Sequence, residues 1–196
     1  MSINSVSTAI LTCHPATPCP AVRRVEVDVR LGVEGKLALA YRLDGDIDAL
    51  RIPDAGPVQR ADGLWQTTCF EVFVTVLPQT GPALNTESAL AGGYYEFNFS
   101  PSTAWAAYAF TGYRQGMVAV DLVEPVNLTV LRDADWLELA VNINLGDLPL
   151  AKESTLLLGL SAVVQAQHGG LSYWAMAHPE GKPDFHHPGS FVFKLA

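Results

Sequence analysis

The sequence has few charges, few basic residues and no long hydrophobic run. Charged residues make up 16% of the 196 positions, and 12 Lys and Arg are outnumbered by 20 Asp and Glu. Phosphate contacts require clustered basic side chains, so this scattered set argues against a nucleic-acid partner, and the net charge of -8 disfavours anionic membranes. No segment approaches the roughly 20 apolar residues of a membrane-spanning helix.

Cysteine is also scarce. The three cysteines are Cys13, Cys19 and Cys69, and an odd count is typical of reduced thiols in a reducing compartment. A disulfide between Cys13 and Cys19 and a zinc site built on these two with His14 are the alternatives, although no fourth ligand is evident nearby. Residues 9–11, the only early apolar cluster, are too few for a signal peptide, so the sequence predicts a cytoplasmic protein.

What the sequence does contain is a long series of short alternating segments separated by turn residues. No window shows sustained helical periodicity with caps. The pattern predicts an all-β fold, namely a single two-sheet antiparallel sandwich of jelly-roll type with about ten or eleven strands. We expect residues 22–196 to form this domain after a loosely ordered leader at residues 1–21. The clearest predicted strands are residues 25–31, 36–43, 65–77, 94–100, 105–110, 117–123, 128–132, 136–143, 156–165, 171–177 and 190–195.

One predicted strand carries a carboxylate in its interior. Within residues 65–77, the even positions from Phe70 to Val76 are apolar and form a core face, whereas Glu71 lies on the opposite face. Burying an unpaired carboxylate is costly, so Glu71 must face a solvated concavity, a bonding partner or a ligand.

Two later strands repeat this arrangement. Glu96 and Asn98 share one face of the first, and Trp174 and His178 fall at alternating positions at the second. If both strands share a sheet with Glu71, these side chains form one patch. Carboxylates and amides walled by indoles suit a neutral polyhydroxylated ligand. The simpler alternative is that the glutamates meet Arg or backbone partners and that the tryptophan covers the core.

Residues 65–74, 95–108 and 172–187 also carry a family resemblance. Together they resemble a DOMON-like domain of the family 9 carbohydrate-binding-module type, in a bacterial subgroup, and the similarity spans most of residues 22–196. In carbohydrate modules of that superfamily, two tryptophans sandwich a terminal sugar ring, and a Glu shortly after the first Trp accepts hydrogen bonds from hydroxyl groups. The resemblance therefore implies non-catalytic binding of a small ligand, most often a carbohydrate, on a concave sheet face.

The resemblance assigns roles to particular residues. It implies Trp65 and Trp174 as the stacking walls and Glu71 as the hydroxyl acceptor, with Glu96 and Asn98 completing the site. Glu96 departs from the pattern, because sugar-binding relatives tend to have basic or amide donors there, and an extra acid points to a cationic or metal-bridged ligand. The ligand-binding candidates of second rank are Arg114 and His178.

Redox or metal binding is the alternative from a different class. Other DOMON relatives hold haem through Met with His or Lys, and Met117 or Met176 could pair with a histidine from another strand. A divalent metal could use the histidine-rich loop near the C-terminus. The candidate metal ligands are His178, Asp184, His186 and His187.

Two further alternatives concern catalysis and partners. Glu71 and Glu96 could form a glycosidase-like carboxylate pair, but no Gly-x-Ser-x-Gly motif or electropositive cysteine supports a nucleophilic enzyme. A partner-binding module with an exposed aromatic face is the third class. We therefore expect a small-molecule ligand, with no nucleic acid, no membrane and no required cofactor, and the sequence does not predict the oligomeric state.

Overall fold

The computed structural model of the protein describes residues 6–77, 86–146, 148–150 and 155–195. These residues form thirteen strands and one short α-helix, α1 (Thr86–Ala91), which confirms the all-β class. In chain order the strands are β1 (Ser7–Cys13), β2 (Val22–Leu31), β3 (Lys36–Gly45), β4 (Gln59–Arg60), β5 (Cys69–Val76), β6 (Tyr94–Phe99), β7 (Ala104–Phe110), β8 (Val118–Ala119), β9 (Asn127–Arg132), β10 (Trp136–Asn144), β11 (Leu156–Gln165), β12 (Leu171–Ala175) and β13 (Phe193–Leu195).

The strands are joined into one continuous hydrogen-bonded sheet. Its order is β4-β7-β6-β5-β11-β12-β1-β2-β3-β10-β9, with β13 added to β11 and β8 to β7. We call the strands from β4 to β12 in this order the site arm, and those from β2 to β9 the second arm. The predicted division into two separate sheets is not confirmed, because β1 pairs with β2 at residues 7–11 and with β12 at Thr12 and Cys13.

The connecting strand β1 lies inside the segment predicted to be a loose leader. Ala9 and Leu11 are buried, whereas Thr8 and Ile10 face solvent. This alternation is too short to distinguish a strand from a loop by sequence pattern alone. The segment is a strand because it forms hydrogen bonds with β2 and with β12. Residues 1–5 of the predicted leader lie outside the described residues.

The two arms share a hydrophobic core. Tyr41 of β3 and Phe70 of β5 are fully buried with ring centroids 5.1 Å apart, and the Tyr41 hydroxyl donates to the backbone oxygen of Glu71 at 2.8 Å. Phe70, Val72 and Val74 all belong to this core, as the period of two predicts. The odd-numbered residues of β5 therefore lie on the outer face of the site arm.

A second apolar cluster lies on that outer face. Phe73 and Tyr94 from the sheet pack with Phe185 and Phe191, which belong to the segment between β12 and β13. We call residues 176–192 the covering segment. Because it crosses the outer face, side chains that would otherwise face solvent become buried there.

Helix contributes little to the described part of the chain. α1 has six residues, and no helix there has the length and hydrophobicity that crossing a membrane requires. The Thr75 hydroxyl of β5 contacts the Ala89 carbonyl of this helix at 3.3 Å. Six residues are too few to produce a visible helical period, which explains why the sequence pattern does not predict α1.

Candidate functional site

A cavity of about 420 Å³ opens on the outer face of the site arm, beside the covering segment. Its walls are mainly aromatic and apolar, with two carboxyl groups, one guanidinium group and one imidazole. The residues that line it are Trp65, Glu71, Phe73, Glu96, Phe110, Arg114, Met117, Val163, Tyr173, Pro183, Phe185 and His186. A larger, more polar cleft of about 690 Å³ near Asp48 and Arg132 contains none of the predicted site residues.

Strand register brings the two glutamates together. Glu71 of β5 is paired with Asn98 of β6, and Phe73 with Glu96, so the glutamates are diagonal neighbours across two adjacent strands. Their side chains point to the same face, because that face takes the odd residues of β5 and the even residues of β6. The pairing of β5 with β6 thus brings together three of the predicted site residues, namely Glu71, Glu96 and Asn98.

Both carboxyl groups are almost completely buried. Glu71 is 2% exposed and Glu96 is 5% exposed. The Ser161 hydroxyl of β11 donates to Glu71 Oε2 at 3.3 Å, and the Asn98 amide donates to Glu96 Oε1 at 2.7 Å. Asn98 is therefore not part of the cavity lining, but its hydrogen bond holds the carboxyl group of Glu96, which is.

Burial makes both carboxyl groups difficult to ionise. Desolvation, followed by the charge of Glu96, raises the pKa of Glu71 well above its ordinary value. Desolvation also raises the pKa of Glu96 to about 7, against the lowering effects of the Asn98 hydrogen bond and the Arg114 charge. At neutral pH the pair of carboxyl groups therefore still binds at least one proton.

His186 lies against this pair. The Tyr94 hydroxyl and His186 Nδ1 are hydrogen-bonded at 2.7 Å, while His186 Nε2 lies 3.8 Å from Glu96 Oε2. Burial, followed by the charge of Arg114, lowers the pKa of His186 to about 4. The imidazole is thus neutral at neutral pH, and its contact with Glu96 is not an ion pair there. From its sequence context His186 is predicted only as a metal ligand, because nothing in a Pro/Gly-rich loop reveals which sheet face the loop covers.

Trp65 lies at the mouth of the cavity. It belongs to a 3-10 turn, Leu64–Gln66, which follows Gly63 in the left-handed conformation that glycine adopts readily (φ 73°). The indole is 37% exposed and meets the ring of Tyr108 edge-on at 5.9 Å. An accessible indole beside buried carboxyl groups gives the mouth a flat apolar surface.

Arg114 connects the β7–β8 loop to the covering segment. Its guanidinium group donates to Asp184 Oδ1 at 2.8 Å, and the Tyr113 hydroxyl donates to the other oxygen of the same carboxylate. Although desolvation raises it, these hydrogen bonds and the Arg114 charge hold the pKa of Asp184 below its usual value. Arg114 therefore lines the cavity with its charge already matched by Asp184.

The structure does not place Trp174 at the cavity. Trp174 lies in the core shared by the two arms, where its indole N–H donates to the Ser172 hydroxyl at 3.0 Å. Its neighbour Tyr173 lines the cavity instead, because Tyr173 is paired with Val163 on the face that carries Glu71. Which face a given residue occupies depends on pairing with the neighbouring strand, and a single short strand does not reveal it.

His178 also lies away from the cavity. Its Nε2 is 2.8 Å from the backbone oxygen of Thr12, and its ring meets that of His14 edge-on at 4.9 Å. Desolvation, opposed by the Thr12 contact, lowers the pKa of His178. The alternation that linked it to Trp174 ends with β12 at Ala175, so it does not continue the strand face.

The metal alternative is not supported. Over the described ranges, no group of three or more His, Cys, Asp and Glu side chains is arranged to hold an ion. Asp184 is bonded to Arg114, and His187 Nδ1 accepts from the Gly189 N–H at 3.0 Å. The haem alternative gains no support either, since Met176 packs against the shared core and His186, which lines the cavity with Met117, is bonded through Nδ1 to the Tyr94 hydroxyl. The three cysteines are not disulfide-bonded.

The fold is similar to that of known structures. A carbohydrate binding module family 9 from Caldicellulosiruptor kristjanssonii in complex with cellotriose superposes with a TM-score of 0.51 at 11% identity, covering 95% of this chain and 80% of the other. A second structure of that description, in complex with glucose, gives 0.46 at 10% identity, covering 95% and 82%. Neither a family model nor a curated protein matches the sequence. At this identity the likeness is one of fold.

Proposed function

We propose that the cavity binds the end of a carbohydrate without converting it, and that the chain is a DOMON-like domain of the family 9 carbohydrate-binding-module type. The observation that carries this proposal is the pair of buried carboxyl groups, Glu71 and Glu96, in an aromatic cavity with an accessible indole at its mouth. The sugar complexes named for structures of similar fold support the class of ligand. In this proposal the two arms act as the layers of a sandwich formed by residues 22–196, and β1 closes one side.

Each lining residue has a proposed task. Trp65 stacks on the apolar face of a sugar ring, and Tyr173 forms the wall that the family resemblance implies for Trp174. Glu71 and Glu96 bond the hydroxyl groups, and a protonated carboxyl can both donate and accept. Asn98 positions Glu96, and Arg114 positions the covering segment through Asp184.

The stacking role of Trp65 predicts a loss of affinity in Trp65→Ala. Truncating an aromatic anchor at a binding site should weaken binding by about 2 kcal/mol, roughly thirtyfold in dissociation constant. Isothermal titration calorimetry with cellotriose and a panel of other oligosaccharides measures this. The matched control is Trp136→Ala, which removes a partly buried indole from β10 in the second arm. Equal affinity of Trp65→Ala and the unsubstituted protein for every ligand would contradict the stacking role.

Binding without conversion can be tested on the same samples. We expect the proton NMR spectrum of each bound oligosaccharide to stay unchanged after prolonged incubation with the protein. New reducing ends that disappear in Glu71→Gln and Glu96→Gln would instead identify the two glutamates as a glycosidase pair. Absence of binding by every sugar in the panel would overturn the proposed function as a whole.

A further inference from the structure

The cavity contains more carboxyl groups than the recognition of a neutral sugar requires. Its two carboxyl groups face the ligand space, whereas its cation is already engaged, because Arg114 donates to Asp184. His186 is uncharged at neutral pH, and its Nδ1 is bonded to the Tyr94 hydroxyl. The groups still available to a ligand are therefore mainly the carboxyl oxygens, which bind hydrogen-bond donors and positive charge.

Of the two carboxyl groups, Glu71 has the fewer partners to offset the cost of its burial. It is 2% exposed and lines the cavity, and the Ser161 hydroxyl at 3.3 Å is its side-chain hydrogen-bond partner. Among the residues that the structure describes, no basic side chain forms an ion pair with it. Burial raises its pKa, as expected for a carboxyl group without a cation. A buried carboxylate is stabilised when a cation and hydrogen-bond donors reach it, so a ligand with both would remove this cost.

The walls around the carboxyl groups are also suited to a cation. Aromatic rings attract positive charge to their faces, and their apolar surface removes competing water. The rings that line the cavity belong to Trp65, Phe73, Phe110, Tyr173 and Phe185. Carboxyl groups within aromatic walls combine the two interactions that bind an ammonium group, and they disfavour an anion.

We propose that the ligand carries a free ammonium group, and that the cavity selects an amino sugar over its neutral counterpart. This inference rests on the proposed function and gives it a chemical class of ligand. The ammonium group donates hydrogen bonds to Glu71 and Glu96 between the aromatic walls, while the ring stacks on Trp65. A protonated primary amine offers three N–H donors and no acceptor, so it complements the carboxyl oxygens of Glu71 and Glu96.

Titration of the protein with three related probes at pH 7 tests the proposal. The probes are D-glucosamine, D-glucose and N-acetyl-D-glucosamine, followed by calorimetry. We expect D-glucosamine to bind at least tenfold more tightly than D-glucose. N-Acetylation removes the positive charge, so N-acetyl-D-glucosamine should lose this advantage. Ethanolamine serves as a fourth probe that carries an amine without a sugar ring.

Two isosteric variants identify the source of the selectivity. Glu71→Gln and Glu96→Gln keep the shape of the side chain but lose its capacity for charge, and in each we expect the preference for D-glucosamine to fall below threefold. Glu124→Gln, at an exposed position, removes one acid elsewhere and should leave the preference unchanged. Thermal unfolding of each variant confirms that it is folded, and the second variant carries the test if the first does not fold.

The possible results separate this inference from the proposed function. Binding of D-glucose as tightly as D-glucosamine would overturn the ammonium site and leave carbohydrate binding intact. Binding of ethanolamine without any sugar would support the ammonium site and overturn carbohydrate binding. A preference for D-glucosamine that persists in both glutamine variants would also overturn the inference, because the selectivity would then come from elsewhere.

Discussion

As the pH rises from 4 to 8, the free energy of unfolding of Glu96→Gln is expected to increase by about 3 kcal/mol relative to that of the unsubstituted protein. Burial raises the pKa of Glu96 from its ordinary value near 4.5 to about 7 in the folded state. A group whose folded pKa is raised stabilises the fold below the unfolded pKa, and this contribution is lost as the pH rises through the folded pKa. Each pKa unit corresponds to about 1.4 kcal/mol, and glutamine has no such dependence.

Urea unfolding of both proteins at several pH values measures this difference. Comparing the two proteins matters, because His186 titrates in the opposite direction: its lowered pKa makes the fold lose stability as the pH falls from about 6.5 toward 4. Both proteins keep His186, so its contribution largely cancels in the difference. Glu124→Gln is the control for removing a negative charge. A constant difference between pH 4 and pH 8 would mean that Glu96 is not buried as described.

Phe70→Ala is expected to destabilise the protein by about 4 kcal/mol. Phe70 is fully buried between the arms, against Tyr41, and removing a buried phenyl ring costs about 3 to 5 kcal/mol through lost burial and the remaining cavity. Small domains are stable by only about 5 to 15 kcal/mol, so the variant loses a large share of its stability.

Chemical denaturation at pH 7, followed by circular dichroism, measures this loss. The matched control is Val123→Ala, which also removes apolar atoms, but at a position that is 79% exposed. We expect it to stay within about 0.5 kcal/mol of the unsubstituted protein. A loss below 1 kcal/mol in Phe70→Ala would show that the arms do not depend on packing at this residue.

The period-two pattern predicts most of the fold because it directly reports which residues are buried. In β5 it assigns Phe70 and Val72 to the core and Glu71 to the opposite face, and the structure agrees. It does not show how strands pair with one another. The continuous path through β1 depends on contacts between distant residues, and for that reason the pattern alone predicts two separate sheets.

The same distinction applies to the candidate site. Glu71 and Glu96 stand out in the sequence because a carboxyl group inside a strand needs an explanation. Tyr173 and His186 do not stand out, since their place in the cavity depends on the pairing of β12 and on the path of the covering segment. Strand alternation and the family resemblance predict Trp174 as a wall of the site, but strand register directs its indole to the core.

The closing position of β1 has a consequence for how the chain folds. Thr12 contacts Ala175 across 163 positions of the sequence. The strand that joins the arms, β1, therefore pairs with β12 only after a long stretch of chain has been brought back to it. Contacts at such long separation slow folding, because loop-closure entropy must be overcome before they stabilise anything. On the ribosome, β1 would emerge well before β12, and its edge toward β12 would remain unpaired until the intervening strands have been synthesised.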